Sequence, residues 1–220
     1  MYLPRAFAAR ISTAEGWSTD LDALDRLAAA DSFITLLTVR DGSPSLSHLP
    51  VLYRRDGERV ELIGHWARPN PQAGHDGAAL AVFHGPHAYV SPSWYPDKEA
   101  AARVPTWNYA VAHLHGMLHS FDDESALIEV VDGLSSFHET AVGSDWRFEP
   151  ERDDHRRQLR GIVGFRFVAE RIELKSKLSQ NHPMANREAV SAQLQAQSRE
   201  ASKAVAGLMR ERMSHEPSGD

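Results

Sequence analysis

Short runs of alternating apolar and polar residues dominate the first third of the chain and predict β-strands. Three such runs cover 33–39, 47–53 and 59–65. The pairs Asp41-Gly42 and Asp56-Gly57 separate them, and Asp-Gly is a strong signal for a tight hairpin turn. Strands joined by turns this short must pair antiparallel, so the pattern predicts a three-stranded meander.

The rest of the strand pattern is less regular. Further strands are expected at 79–83 and 87–91, and a final strand at 164–175. The segment 108–121 alternates as a long strand would, but its alanines and leucines also suit a helix, and the pattern leaves both open. Because few connections are suited to parallel crossovers, the sequence predicts an antiparallel barrel or sandwich.

Helical periodicity marks three segments. Residues 19–30 form a short amphipathic repeat that Ser18 or Thr19 would cap, and 124–141 carries a continuous apolar stripe. Residues 186–213 have a narrow apolar stripe, which suits a long C-terminal helix docked on a barrel or on a partner chain.

These elements predict one mainly β, α+β domain over 1–183, which includes the helix at 124–141, and a C-terminal helix with a disordered tail over 184–220. Hydrophobic residues make up 42% of the 220 residues, so a sizeable core is available. The chain has no cysteine, which excludes disulfides and cysteine-bound zinc or iron–sulfur clusters.

Charge and targeting signals narrow the location and the partners. The formal net charge is -6, which gives no long-range attraction to nucleic-acid phosphates. The first residues lack the apolar core of a signal peptide, and no apolar run approaches membrane-spanning length. We therefore expect a cytoplasmic protein that does not enter a membrane.

The segment 64–71, which reads Gly-His-Trp-Ala-Arg-Pro-Asn-Pro, is the most unusual stretch of the chain. It follows the third strand of the predicted meander, where a chain leaving a strand exposes backbone N–H groups. Arg68 could bind a phosphate through its guanidinium, and Asn70 could donate from its amide. A plain connection with a surface arginine explains the same pattern, and both interpretations stay open here.

Three further segments carry candidate binding groups. His48 and Pro50 lie in a predicted strand, where a proline indicates an edge or a bulge that a ligand could reach. Residues 89–109 hold two Trp and three Tyr side chains, which suit a planar ligand, a partner subunit or the core. Residues 175–181 place polar side chains around Leu178, as either a ligand rich in heteroatoms or a plain polar turn would require.

Twelve histidines raise the question of a metal or haem site. His113 and His115 would share a face of a strand, with His119 nearby. No His-Glu-x-x-His pattern is present, and His138-Glu139 lacks a second histidine at helical spacing. The sequence therefore predicts no metal site.

Seven short motifs follow one another in order along almost the whole chain. They are Met1-Tyr2 with Pro4 and Phe7, Ser47-His48-Leu49-Pro50, the segment 64–71, Phe83-His84-Gly85-Pro86, Ser91-Pro92-Ser93-Trp94-Tyr95, Val104-Pro105-Thr106-Trp107-Asn108-Tyr109, and Lys177-Leu178-Ser179-Gln180-Asn181. Together they resemble the motifs of the FMN-binding negative transcriptional regulators of the PaiB type. The resemblance implies an antiparallel six-stranded split β-barrel with flanking helices, related to pyridoxamine-phosphate oxidase and to flavin reductases.

The same resemblance implies that two copies pair as a homodimer and hold FMN at the seam between them. The phosphate group would be held by Ala67, Arg68 and Asn70, with His65 as a further candidate, and the ring would rest on His48, Leu49, Pro50 and Val51. The partner copy would add Trp94, Trp107, Asn108 and Gln180, with Ser179 in the same motif. Lys177 would lie near the N1/C2 carbonyl edge of the flavin and stabilise the charge of its reduced form.

Functions from different classes remain open at this point. A flavin-binding regulator of gene expression follows from the family, but the sequence holds no recognisable helix-turn-helix, so direct contact with DNA has little support. The alternative is a small flavin-dependent oxidoreductase or flavin reductase, or a relative that binds or degrades haem. No acid–base pair beside a defined pocket points to a particular reaction. A flavin-binding fold that acts only through protein contacts is a third interpretation.

Overall fold

The computed structural model describes residues 17–18 and 20–215, so the motif residues before position 17 and the predicted tail at 216–220 lie outside it. The strands are β1 (Trp17–Ser18), β2 (Phe33–Arg40), β3 (Ser43–Pro50), β4 (Leu52–Asp56), β5 (Arg59–Ala67), β6 (Gly77–Val90), β7 (Thr106–Phe121) and β8 (Ile162–Lys177). The helices are α1 (Leu21–Ala30), α2 (Glu124–Val142), α3 (Asp153–Gln158), α4 (Met184–Gln195) and α5 (Glu200–His215). Single turns of 3-10 helix lie at Pro92–Trp94 and Leu159–Gly161.

The predicted three-stranded meander is replaced by two antiparallel hairpins, β2–β3 and β4–β5. The middle strand expected at 47–53 is divided into β3 and β4, which lie at opposite ends of the strand order. In the first hairpin Leu37 lies opposite Leu46. Asp41 and Gly42, which join β2 to β3, both have positive φ angles, 50° and 76°. A two-residue turn with this backbone matches the right-handed twist of the strands, which is why Asp-Gly predicted the hairpin correctly.

The segment 108–121, which the sequence left open between strand and helix, lies in strand β7. Its residues alternate between buried and less buried positions along almost the whole strand. The sheet has the order β3-β2-β6-β7-β8-β5-β4, and β1 pairs with β8, so the described chain has eight strands where six were expected. The pairs β1–β8, β2–β3, β2–β6, β4–β5 and β5–β8 are antiparallel, and the expected antiparallel α+β fold is confirmed.

The helix predicted at 124–141 is confirmed as α2. Its N-cap residue Asp123 accepts a hydrogen bond from the Ala126 N–H at 2.9 Å, and the left-handed Gly143 ends it. The cap of α1 is Asp20 and not the expected Ser18 or Thr19. No helix in the described residues is long and apolar enough to cross a membrane.

Where the sequence predicted one helix over 186–213, the structure has two, α4 and α5. The Ser191 hydroxyl of α4 donates to the Ala206 carbonyl oxygen of α5 at 3.2 Å. In one straight helix these two residues would be about 22 Å apart. The break between the helices therefore lets both narrow apolar stripes pack into one cluster, with Val190 and Leu194 from α4 and Val205 and Met209 from α5.

The chain divides into two compact units. The first contains residues 20–83 and 113–173, and the second contains 84–112 and 174–215 together with β1. The core of the first unit is rich in fully buried side chains such as Trp66 and Phe165, whose rings lie 4.5 Å apart. The core of the second unit is the cluster shared by α4 and α5, on which Trp94 also packs. The division at residue 183 that the sequence suggested stays a prediction.

Gly116 allows β7 and β8 to approach closely, and alanine at this position should destabilise the protein. A Cβ atom on Gly116 would lie 2.0 Å from the backbone carbonyl oxygen of Val168. We expect Gly116→Ala to lower the free energy of unfolding by about 1–3 kcal/mol, the range for overpacking, in urea denaturation. Gly207→Ala in α5 is the control, because a Cβ there meets no atom within 4 Å. A Gly116→Ala protein as stable as the wild type would contradict this packing.

Candidate functional site

The segment that follows β5 folds into consecutive tight turns over residues 67–75. The backbone N–H groups of Asn70, Ala73 and His75 each donate to the carbonyl oxygen three residues earlier, at 2.9–3.1 Å. Turns of this kind fix the backbone without help from a neighbouring strand. The segment is therefore a well-defined loop on which Arg68 and Asn70 are carried.

The backbone of this loop has no free donor between residues 68 and 73. The Arg68 N–H donates to the Gly161 carbonyl oxygen at 2.7 Å, and the Gln72 N–H donates to the Asn70 side chain at 2.8 Å. The two prolines of the segment have no N–H at all. The expectation that this junction exposes free backbone N–H groups is therefore wrong, and an anion here would have to be bound by side chains.

The Arg68 guanidinium lies across the backbone that leads into β8. Its Nε donates to the Arg160 carbonyl oxygen at 2.8 Å, and its Nη2 donates to the Ile162 carbonyl oxygen at 2.9 Å. These bonds hold the guanidinium in place, while Nη1 has no hydrogen-bond partner within the described residues. The side chain is exposed, so a fixed positive group with unused donors faces solvent at the end of β5.

Asn70 connects the loop to strand β3. Its side-chain amide donates to the Ser47 hydroxyl at 3.0 Å, and its side-chain oxygen accepts the Gln72 N–H. Ser47 directly precedes His48–Val51, the residues predicted to carry the ring of a flavin. The structure therefore brings Asn70, which was predicted to bind the phosphate, next to the strand that was predicted to carry the flavin ring. Both lie in the first unit.

Gln72 is a central residue of this loop that the sequence analysis missed. Only 1% of it is exposed, and its amide donates to the backbone of Leu36 and Ser45 and to the Thr38 hydroxyl. Its side-chain oxygen accepts the Trp66 indole N–H at 3.3 Å. A glutamine that follows a proline in a predicted surface turn gives no sequence signal for burial. The only hint of burial in the sequence is Trp66, six residues earlier.

His65 supplies an unpaired polar atom beside the loop. Its Nδ1 is buried and has no hydrogen-bond partner, and burial lowers the pKa of the imidazole below its ordinary value. Strand alternation places His65 on the same face of β5 as Ile63, which packs against α2. His65 therefore lies on the opposite face of the strand from Trp66.

The residues of β3 that were predicted to carry the ring divide between two faces. His48 and Pro50 lie opposite Thr35 and Phe33, so they share the outer face of the hairpin, where the His48 ring stacks on Phe33 at 6.4 Å. The Thr35 hydroxyl lies 3.0 Å from His48 Nδ1. Leu49 points to the inner face, and Val51, just after β3, is buried.

The aromatic motif residues of the second unit differ in exposure. Trp107 is 47% exposed and forms a cluster with His87 and Tyr89, at ring distances of 6.1 and 6.0 Å. Trp94 is partly buried and packs on the hydrophobic cluster of α4 and α5. The loop after Trp94 is held to α4 because Asn186 donates to Asp97 at 2.9 Å, and hydrogen bonds led by that from Arg103 lower the pKa of Asp97 to about 2.

The polar motif residues of the second unit are engaged within the chain. Asn108 is fully buried, accepts a hydrogen bond from the Ser179 hydroxyl at 3.1 Å and donates to Met209 Sδ at 3.3 Å. The Lys177 ammonium donates to the Thr106 hydroxyl at 2.6 Å. The Gln180 side chain caps its own turn, accepting from the Leu178 N–H at 2.7 Å.

The described residues contain no cluster of three or more His, Asp or Glu side chains that could hold a metal ion. A cavity of about 580 Å³ lies in the first unit, beside the C-terminal end of the loop over 67–75. It is lined by ends of β2 and β6, the loop at 74–76 and His115, and none of the predicted site residues lines it. The candidate site is therefore the surface around Arg68 and β3 and not this cavity.

The residues around Arg68 fit a phosphate group. Arg68 has unused donors on a guanidinium that backbone carbonyl groups already hold in place. Arginine is the side chain best suited to a phosphate because its planar fork can bind two oxygens. Arg68 would hold the phosphate of FMN if that cofactor binds here.

Comparison with known sequences extends the resemblance to most of the chain. Residues 1–171 match the model of the protein family described as "Putative FMN-binding domain". The chain is also 31% identical over 221 residues to the Bacillus subtilis protein named "Protease synthase and sporulation protein PAI 2", covering 97% of this chain and 98% of that protein.

Solved structures show the same fold. The FAD- and haem-binding protein of Mycobacterium smegmatis matches with a TM-score of 0.55 and 19% identity, over 81% of this chain and 80% of that one. The flavocytochrome Anf3 of Azotobacter vinelandii matches with a TM-score of 0.52 and 14% identity, over 74% and 69%. The fold is thus the split-barrel flavin-binding type that the motifs implied.

The lowered pKa of His65 should make stability depend on pH. Since burial favours the neutral ring, the unfolded chain takes up a proton first as the pH falls below about 6.5, the ordinary histidine value. We expect the free energy of unfolding to fall less between pH 7.5 and 5.5 in His65→Gln than in the wild type, measured by urea denaturation. The control is His119→Gln, at an exposed position of β7, which should follow the wild type. Equal losses in the wild type and His65→Gln would contradict the burial of this ring.

Proposed function

The chain belongs to the PaiB-type family of FMN-binding proteins, and we propose that it binds FMN as a homodimer and acts as a negative regulator of transcription. The main support for FMN binding is the Arg68 guanidinium. Two backbone carbonyl groups hold it in place, and it has N–H donors that no protein group uses within the described residues. Arg68, Asn70 and His65 would bind the phosphate, and His48 and Pro50 would meet the ring from the outer face of β3.

The two faces of β3 refine the proposed ring site. His48 is exposed on the outer face, and Leu49 faces inward. A planar ring on the outer face would therefore contact His48 and Pro50 directly, while Leu49 and Val51 would support the strand from inside. Because the hydroxyl of Thr35 lies at hydrogen-bond distance from His48 Nδ1, the imidazole is held in a defined orientation toward such a ligand.

The outer face of the β2–β3 hairpin supports pairing with a second copy. Phe33, Val39 and Leu46 are each more than half exposed there, at 51%, 58% and 57%. Residues opposite one another in antiparallel strands share a face, so these side chains and His48 form one apolar surface. Monomers rarely expose contiguous apolar surface without using it. A second copy covering this face would enclose the proposed ring site.

The second copy would also supply the aromatic and polar motif residues of its second unit. Among these, Trp107 and Lys177 are exposed and could contact a ligand directly. Asn108 and Ser179 are buried and bonded to each other, so we propose that they shape the loop that presents Trp107. Trp94 and Gln180 would contribute at the edge of the same surface.

The regulatory part of the proposal rests on the family. The net charge of -6 offers no long-range attraction to DNA.

The absorption spectrum of the purified protein is the first measurement, because flavin bands and a haem Soret band identify the bound cofactor directly. Retardation of a promoter fragment that weakens with salt would support the regulator. Oxidation of NAD(P)H by the FMN-loaded protein without DNA binding would favour the alternative, a flavin-dependent oxidoreductase.

Arg68→Ala should weaken FMN binding. The loss of a charge-assisted hydrogen bond to phosphate is expected to cost about 1.5–3 kcal/mol of binding free energy, measured by titration of the apoprotein with FMN. Arg54→Ala is the matched control, because Arg54 is exposed on β4. Unchanged FMN affinity in Arg68→Ala would show that the phosphate is bound elsewhere.

Leu46→Glu should convert the proposed dimer into a monomer. A carboxylate on the outer face of β3 would have to be buried without a partner when the second copy packs there, and that burial is unfavourable. Sedimentation at micromolar concentration reports the mass of the wild type and the variant. Val142→Glu is the control, because Val142 is 76% exposed at the end of α2. A wild type that sediments as a monomer, or a Leu46→Glu protein that stays a dimer, would contradict this interface.

A further inference from the structure

We propose that Gln72 is the positioning residue of the phosphate site, because its buried side chain fixes the loop from which Arg68 and Asn70 project. The inference rests on the proposed function, since it assigns to Gln72 a role in binding the phosphate of FMN. Gln72 is not expected to touch the cofactor, because only 1% of it is exposed. Its effect would reach the phosphate through the loop backbone.

The Gln72 amide is fully used inside the first unit. Its nitrogen donates to the Leu36 carbonyl oxygen at 3.2 Å and to the Ser45 carbonyl oxygen at 3.0 Å. The same nitrogen lies 3.0 Å from the Thr38 hydroxyl, and the side-chain oxygen accepts the Trp66 indole N–H. The two carbonyl oxygens require the amide nitrogen on their side, and the indole N–H requires the amide oxygen on the other side. These bonds therefore fix both the position and the orientation of the side chain.

These partners belong to different strands, which is why the contact matters for the loop. Leu36 and Thr38 lie on β2, Ser45 lies on β3, and Trp66 lies on β5. A single side chain from the loop is therefore bonded to three strands of the sheet. No other residue of the loop between 67 and 73 has its side chain bonded to more than one strand, since Asn70 reaches β3 alone.

The backbone of Gln72 transmits this anchoring to the phosphate-binding side chains. Its N–H donates to the Asn70 side-chain oxygen at 2.8 Å, which leaves the Asn70 amide nitrogen directed at Ser47. Its carbonyl oxygen accepts the His75 N–H at 3.1 Å. His75 is itself buried, and its Nδ1 lies 2.8 Å from the Thr38 hydroxyl. Hydrogen bonds from Gln72 therefore hold the loop on both sides, at Asn70 and at His75.

Removal of the amide would leave buried partners without hydrogen bonds. Trp66 and Leu36 are fully buried, and buried polar groups without hydrogen-bond partners are unfavourable. The loop would relieve this by moving so that water could enter. We expect such a shift to displace Asn70, which Gln72 contacts directly, and to change the turn that follows Arg68. The outer face of the hairpin, where the ring is proposed to bind, should stay largely in place.

A comparison of FMN with riboflavin tests this role, because the two ligands share the ring and differ in the phosphate. The apoproteins of the wild type, Gln72→Met and Gln72→Glu are titrated with each ligand, and binding is followed by flavin fluorescence. We expect FMN affinity to fall about tenfold in both variants, while riboflavin affinity changes less than about twofold. Gln158→Met, at an exposed position of α3, is the matched control and should bind both ligands as the wild type does.

The ratio of the two affinities separates the possible results. If both affinities stay unchanged, or if both fall in parallel, Gln72 has no specific role toward the phosphate and the inference is overturned. A wild type that binds FMN no more tightly than riboflavin would instead overturn the proposed phosphate site around Arg68. If the Gln72 variants do not fold, as judged by circular dichroism, Thr38→Val removes one partner of the amide and is judged by the same ratio.

Discussion

A glutamine amide that lies beneath the β2–β3 hairpin must satisfy all of its hydrogen bonds with protein groups, because it is almost completely excluded from water. Gln72 achieves this with the backbone of two strands, one hydroxyl and one indole. Once the amide is placed, the turns on either side of it have little freedom. The position of Arg68 at the end of β5 has a second cause, since its backbone N–H is bonded to Gly161 and its guanidinium to the carbonyl oxygens of Arg160 and Ile162.

Strand alternation imposes the second constraint. In β2 the residues with even numbers between 34 and 38 are buried, so those with odd numbers face outward. Their partners on β3 face outward as well, and the result is a mainly apolar outer face interrupted by His48 and Thr35. The alternation that places apolar side chains in the core of the first unit therefore also leaves an exposed apolar surface on the other face of the hairpin. Our proposal places both a ligand ring and a second copy of the chain on that surface.

Much of the fold could be predicted from the sequence because its signals are local. Asp41-Gly42 specifies a hairpin through two positive φ angles, and the stripe of α2 repeats over several turns. The break between α4 and α5 could not be predicted, because no proline or glycine marks it and because the cluster in which the two helices pack together joins residues distant in the sequence. The buried hydrogen bonds of Gln72 were missed for the same reason, since its partners come from three separate strands. The free backbone N–H groups expected after β5 are absent between 68 and 73 because the loop closes on itself and on Gly161.

The motif residues that carried the resemblance do not form one physical class. His48, Arg68, Trp107 and Lys177 expose polar or aromatic groups, and such groups can meet a ligand. Asn108 and Ser179 are buried and bonded to each other, and Asn108 also donates to Met209 in the core of the second unit. A change at Asn108 would therefore disturb the packing of α5 before it could alter any contact with a cofactor. Motif similarity by itself does not distinguish residues that shape a loop from residues that the loop presents. Accessibility in the structure is what separates them, because only a side chain that reaches the surface can contact a ligand directly.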